Sequence, residues 1–322
     1  MKLFQVATYK TIGKLLKGSF TGFMNDRGLK LSAALAYYTV FSVGPLLLLI
    51  ISLAGIFLGK DASQGKIFGE LNEMIGAQAA LQIQDMVKNI ELTGKSTIAF
   101  VIGLVTLLIG ATSIFGEIQD SINMIWKVKA KPKRGWIKML KDRLLSSSLI
   151  IVLGFLLVVT LIANGVIVAL SNKLLNIFPE LAVVVVNGVN ILLSFIVITA
   201  LFSVIFKVLP DVKIRWKDVR TGAFFTACLF MVGRFLIGLY IQKTETGVAF
   251  GAAGAVIIIL VWVYYTAAIL YFGAEFTQVY AEYRGKAIEP ADYAVHIEQK
   301  EIQHDVRVLP PQGNIKEEPE DK

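Results

Sequence analysis

Charge is what this sequence lacks. Only 17% of its 322 residues are Asp, Glu, Lys or Arg, and 55% are hydrophobic, whereas a soluble domain carries roughly a quarter charged residues. So few charges cannot cover a water-exposed surface, which excludes an ordinary soluble enzyme. Cysteine is nearly absent too. Cys228 stands alone inside an apolar run, so the chain can build neither a disulfide framework nor a cysteine metal site. The two histidines, His296 and His304, fall in a polar C-terminal stretch. With none in the apolar part, Ser-His-Asp, Cys-His and histidine–metal arrangements drop out together. No GxxxxGK[ST] loop is present, so ATP hydrolysis of the P-loop kind is not expected. No carboxylate spacing calls for a metal, and no catalytic residue or cofactor is expected. A cleavable signal peptide is not expected either, because the first apolar run begins near Leu31 and is too long for a signal h-region.

What the chain does have is apolar length. Six long segments lie at about 32–58, 97–118, 145–170, 181–206, 219–241 and 252–278, each near the roughly 20 residues that a helix needs to cross a bilayer. The first contains Gly44-Pro45, a kink that a bundle can accommodate. The connections differ in basic residues. Six Lys and Arg precede residue 32, then four (59–96), eight (127–144), one (171–180), five (207–218 with Arg220) and one (242–251), and six follow residue 278. High and low counts alternate, and the short loops place 127–144 and 207–220 on the cytoplasmic side. The expected fold is an all-α polytopic bundle of about six transmembrane helices, with both termini cytoplasmic.

Three domains are expected. Residues 1–31 hold a cytoplasmic amphipathic helix, residues 32–280 the membrane domain, and residues 281–322 a polar, disordered tail. In the N-terminal helix, Lys10, Lys14 and Lys17 share one narrow face, broadly opposite Ile12, Leu15, Leu16, Phe20 and Phe23. Two placements stay open: flat on the anionic lipids of the cytoplasmic leaflet, or packed on the bundle's own base. The net charge of +8 lies beside apolar segments and so points to lipid head groups rather than nucleic acid. Association with further copies of the chain stays open. The 59–96 loop keeps helical spacing in Ile67, Leu71, Met74 and Ile75 and again in Ile83, Met86, Val87 and Ile90, which predicts two short helices capping the outer face.

Ionisable groups inside spans are costly and each needs a reason. Arg234 lies about 15 residues into the fifth segment, or about 22 Å from its cytoplasmic end. Glu275 sits near the inner end of the sixth, so the two should differ in depth by more than ~15 Å, too far for a direct ion pair. Glu117 and Asp120, at the inner end of the second segment, share the depth of Glu275. They form either a carboxylate cluster at an inner mouth or interfacial salt bridges with the basic 127–144 loop. Trp262, Tyr264 and Tyr265 fall near mid-membrane, away from the interfaces where such aromatics collect, and suggest a polar path. Gly247, Gly251 and Gly254 suggest a tight outer turn with close helix packing.

These segments carry a family resemblance. The stretches Leu35-Ala-Tyr-Tyr-Thr-Val-Phe-Ser42 with Pro45, Ser113-Ile-Phe-Gly-Glu-Ile-Gln119 with Asn123-Met-Ile-Trp126, and Leu209-Pro-Asp211 occur in order. They are followed by Gly233-Arg234, Gly251-Ala-Ala-Gly254, Trp262-Val-Tyr-Tyr265 and Gly273-Ala-Glu-Phe-Thr277. In this the chain resembles the YihY/BrkB family of bacterial inner-membrane proteins over about residues 30–280. The resemblance implies a six-helix membrane protein. Members of that family have carried the label ribonuclease BN, and others are linked to serum resistance and virulence. The residues themselves argue against a ribonuclease, because the apolar part offers no histidine or clear metal cluster. The expected function is transport or handling of an anionic lipid or small solute. Arg234 would contact the anion, Glu275 would sit at the inner mouth, and Tyr37, Tyr38, Trp262, Tyr264 and Tyr265 would line the path. A scaffold protein without transport is the alternative, and a membrane-bound ribonuclease ranks last.

Overall fold

The computed structural model describes residues 2–41, 113–131, 179–244, 254–286 and 288–298, together with Gly65, Phe68, Gly69, Ala80, Leu81 and Gln84. Six helices account for most of these residues: α1 (Lys2–Asn25), α2 (28–41), α3 (113–125), α4 (Pro179–Val208), α5 (Trp216–Thr244) and α6 (Gly254–Tyr283). Three contain stretches long and apolar enough to cross a membrane, at Val185–Val208, Trp216–Leu239 and Val256–Tyr283. The third expected segment and most of the first two lie outside the described residues. So does most of the 59–96 loop, whose six described residues are all helical.

Local chemistry sets the helix limits. Pro179 opens α4, where a missing N–H costs nothing, and Pro210 follows its end, because the residue before a proline is pushed out of the helical region. Asp218 lies in the first turn of α5, where a carboxylate complements the positive end of the helix dipole. α6 closes at Gly285, whose φ of 66° lies in the left-handed region favoured by glycine. There the Lys286 N–H donates to the Ala281 carbonyl and the Gly285 N–H to the Glu282 carbonyl, a glycine-based cap that satisfies the last turn.

α5 and α6 run antiparallel and interlock through small residues. A Cβ placed on Gly222 would collide with Thr277, and one on Gly273 with Thr226. Each threonine is tied down by donating 2.7 Å to the carbonyl four residues earlier, Thr226 to Gly222 and Thr277 to Gly273. Each of these two glycine notches is thus filled by the threonine of the facing helix, and the backbones approach closely, as small residues permit between membrane helices. Farther along, Gly233 faces Tyr265 and Ile269. The expected glycine contact at 247, 251 and 254 lies largely outside the described residues.

α1 packs across the last turns of α6. Leu15, Ser19 and Phe23 are buried, Gly18 faces Val279, and Gly22 faces Glu275. Phe23 meets Phe272 edge-on at 5.9 Å. The neighbouring face of the helix stays open, with Ile12, Leu16, Phe20 and Met24 exposed beside exposed Lys10, Lys14 and Lys17. The described part of α1 therefore has a packed face and, next to it, an uncovered apolar one.

The start of the C-terminal tail differs from expectation. Residues 281–283 continue α6, and residues 288–298 form two short strands, β3 (Glu289–Pro290) and β4 (Ala294–His296). Strand β4 pairs antiparallel with β1 (Val128–Ala130) after α3, aligning Val128 with His296 and Ala130 with Ala294. Strand β3 pairs with β2 (Val212–Lys213) after α4. The composition of the whole tail conceals a segment, Ile288 to Ile297, with enough apolar and β-forming residues to strap two connections together. It also puts one histidine, His296, in an ordered strand, so the stretch from 281 to 298 is neither disordered nor free of histidine. Residues 299–322 lie outside the described residues.

The glycine notches give a contrast that unfolding in detergent, followed by circular dichroism, will read. Gly222→Ala and Gly273→Ala are each expected to cost about 1–3 kcal/mol through overpacking. Gly13→Ala, where an added Cβ meets nothing within 4 Å, is expected to be neutral or to stabilise by about 0.5–1 kcal/mol.

Candidate functional site

The end of the bundle that carries α1 gathers several of the stretches on which the family resemblance rests, those around residues 113–126, 209–211 and 273–277. At its centre is Asp211, 1% exposed, directly after the proline that stops α4. One carboxylate oxygen accepts from Asn123 Nδ2 at 2.9 Å. The other accepts from Gln119 Nε2 at 3.3 Å and from the Tyr293 hydroxyl at 2.9 Å. The Asp211 N–H donates to Asn123 Oδ1 at 2.9 Å, and its carbonyl accepts from the Ala291 N–H. α3 presents Gln119 and Asn123 four residues apart on one face, which is why a single carboxylate can take both amides. Nearby, Trp126 Nε1 donates to the Ala274 carbonyl at 3.0 Å, joining α3 to α6. Each of these buried groups has a partner, as buried polar groups require.

One layer away the charges are less completely matched. Glu275 is 3% exposed, and its Oε1 has no hydrogen-bond partner among the described residues. Asp26 and Lys127 lie beside it, and the Lys127 ammonium forms an ion pair with Asp26. Lys127 holds a φ of 55° and Arg27, next to Asp26, one of 56°. Non-glycine residues in the left-handed region carry strain and concentrate at functional positions. Both strained residues flank the Asp26–Lys127–Glu275 group. This makes it the candidate functional site.

The residues singled out by sequence fall in several places. Glu117 accepts from the Ser121 hydroxyl at 3.5 Å and, like Ser121, lies beside the buried Tyr271 hydroxyl. Asp120 is exposed and borders an open cavity of about 390 Å³ with Lys127 and Lys129. Glu275 therefore groups with Asp26 and Lys127, one turn along α6 from the Glu117–Ser121–Tyr271 group. Arg234 is half-buried in α5, with no ion-pair partner among the described residues. The facing pairs Gly233–Tyr265 and Thr226–Gly273 set Glu275 level with about residue 224 of α5, which leaves Arg234 about 15 Å away along the helix pair. Tyr265 fills the notch at Gly233, Trp262 is buried, and Tyr264 is half-buried. Tyr37 and Tyr38 are exposed on α2, in edge contact with each other at 5.9 Å. No cluster of three metal-ligating side chains occurs among the described residues.

The sequence reading did not select Asp211, Gln119, Asn123, Asp26 or Lys127 as site residues. Asp211 and its amide partners are separated by about 90 residues, and only the fold joins them. The Pro210-Asp211 pair is the one local signal, a carboxylate fixed where a helix is forced to end. Asp211→Ala strands two amides and a phenol, and a loss of roughly 3 kcal/mol is expected in detergent unfolding. Tyr293→Phe removes one bond and is expected to cost about 1 kcal/mol.

Comparison with known proteins gives the chain its kinship. The profile of the family described as "Virulence factor BrkB" matches residues 19–295. A relative from Rhodospirillum centenum, described as a UPF0761 membrane protein, is 25% identical over 83% of this chain and 57% of its own length. One from Azotobacter vinelandii is 28% identical over 80% of this chain and 60% of its own length. One from Vibrio campbellii is 27% identical over 85% of this chain and 87% of its own. The chain thus spans less than two thirds of the first two relatives. No solved structure matches. A profile match from α1 to β4, over the segments that build the Asp211 network and the apolar helices, makes this chain a membrane protein of the BrkB family.

Proposed function

We propose that this protein is a six-helix protein of the bacterial inner membrane that moves or handles an anionic lipid or small solute along a polar path between its helices. The observation behind this reading is a pair of opposite charges that do not neutralise each other. Arg234 lies within the apolar span of α5 without an acidic partner among the described residues. Glu275, about 15 Å along the same helix pair, is buried with one oxygen unpartnered among the described residues. An ionisable group at membrane depth without a matched partner supports a role with a ligand. In this reading Arg234 contacts the anionic group, Glu275 stands at the inner mouth beside Asp26 and Lys127, and Trp262, Tyr264 and Tyr265 line the way between. Tyr37 and Tyr38 border it from α2.

Purified protein in liposomes tests it. Flux of anionic lipid or solute above that of empty vesicles is expected, falling by at least about tenfold in Arg234→Ala, a loss of roughly 1.4 kcal/mol of differential interaction. Wild-type rates equal to empty vesicles, or full activity in Arg234→Ala with normal folding, would sink the transport reading. A scaffold role is then favoured, and the satisfied Asp211 network and the α5–α6 interlock are the observations that support it.

The alternating loop charges and the basic, uncovered face of α1 support a topology with both termini in the cytoplasm and α1 on anionic lipid through Lys10, Lys14 and Lys17. A fluorescent protein fused at the C-terminus is expected to glow, and alkaline phosphatase at the same point to stay inactive. The reverse pattern would overturn the orientation.

A further inference from the structure

We propose that a basic cavity at the α1 end of the bundle, where α4 ends, α5 begins and α6 ends, is a binding site for the phosphate of an anionic amphiphile. It lies apart from the Asp26–Lys127–Glu275 group and needs no flux through the protein, so it stands whether or not Arg234 takes part in transport.

The cavity has a volume of about 660 Å³. Lys207, Lys213, Arg215 and Lys286 line it against only two carboxylates, Asp218 and Glu289. Two of the cations are held in place by protein groups. The Lys207 ammonium donates to the Ile214 carbonyl and sits 5.9 Å from the Trp216 ring. Arg215 donates twice to a single oxygen of Asp218, at 2.9 and 2.8 Å. The Lys207 anchor is a neutral carbonyl and fixes that charge without offsetting it, while Arg215, paired with Asp218, keeps further N–H donors for a phosphate oxygen. Lys213 pairs with Asp292 at the rim, and Arg284 lies 3.9 Å from Asp218. Lys286 is exposed and has no ion-pair partner among the described residues. Asp218 and Glu289 leave an excess of positive charge in the cavity, and the first turn of α5 at its edge adds the positive end of a helix dipole.

Depth identifies the kind of anion. Trp216, where the apolar span of α5 begins, is 49% exposed, and Tyr283, where that of α6 ends, is 60% exposed. Exposed Trp and Tyr at the ends of spans mark the head-group layer. The anion most abundant at that depth is the phosphate of an acidic lipid, and basic pockets between membrane helices on the cytoplasmic side take such head groups.

The test uses the full-length protein in a neutral detergent and follows tryptophan fluorescence. Short-chain phosphatidylglycerol is expected to bind saturably, and phosphatidylcholine of equal chain length far more weakly. The double variant K213Q/K286Q is expected to bind the anionic lipid about tenfold more weakly. K30Q, exposed on α2, is expected to leave binding unchanged, with unaltered thermal unfolding as the check on folding in both variants. Displacement of the lipid by inorganic phosphate would make free phosphate a ligand of the site. Lipid binding that resists such displacement would assign the site to a head group. Equal binding of the two lipids, a double variant that binds like wild type, or an equal loss in K30Q would each overturn the proposal.

Discussion

A single desolvated carboxylate holds the described structure together at one end. Asp211 brings α3, the turn after α4 and the C-terminal strap to one point, because a buried carboxylate must collect donors from wherever they can be supplied. Its donors come from Gln119, Asn123 and Tyr293, and the two short strand pairs form on either side of it. Without that requirement nothing in the local sequence would hold Tyr293 against the turn at Pro210. The Trp126–Ala274 bond extends the same junction into α6, and α1 then lies over the final turns of α6 through Gly18 and Gly22.

The middle of the bundle follows a different rule. Between membrane helices, burial of apolar area offers little gain over lipid contact, so close packing and backbone approach decide which helices pair. The reciprocal glycine–threonine notches of α5 and α6 meet that rule, and each threonine hydroxyl is satisfied within its own helix. The polar end is thus fixed by hydrogen bonds to one anion, and the apolar middle by shape. Arg234 and the Oε1 of Glu275 are served by neither device among the described residues.

Much of the fold was legible in the sequence, and the reason is physical. Long apolar runs read as helices because the bilayer permits little else, and α4, α5 and α6 begin and end within a few residues of the expected 181–206, 219–241 and 252–278. The N-terminal helix, expected within residues 1–31, runs from Lys2 to Asn25. The separation of Arg234 from Glu275 could be counted because helical rise is constant. What escaped were pairings with no periodic signature. Tyr293 and Val295 sit in a polar, proline-containing stretch whose average composition hides a strand. Asp26 and Lys127 become neighbours only when α1 folds onto α6. The interlocking glycines of α5 and α6, Gly222 and Gly273, are spaced with threonines rather than with each other, so they carry no paired-glycine signature.

The strap has a consequence for how the protein is made. Asp211 and Tyr293 are separated by 82 positions, and the whole of α5 and α6 lies between them. On the ribosome the carboxylate emerges first, and its phenolic partner emerges only after both intervening helices have been delivered to the bilayer. Until then the loop after α4 lacks its strand partner and its acid lacks the phenolic donor, holding only the amides of Gln119 and Asn123. Closure of the strap is therefore a late event in biogenesis, one that cannot occur until the last helix of the bundle is seated.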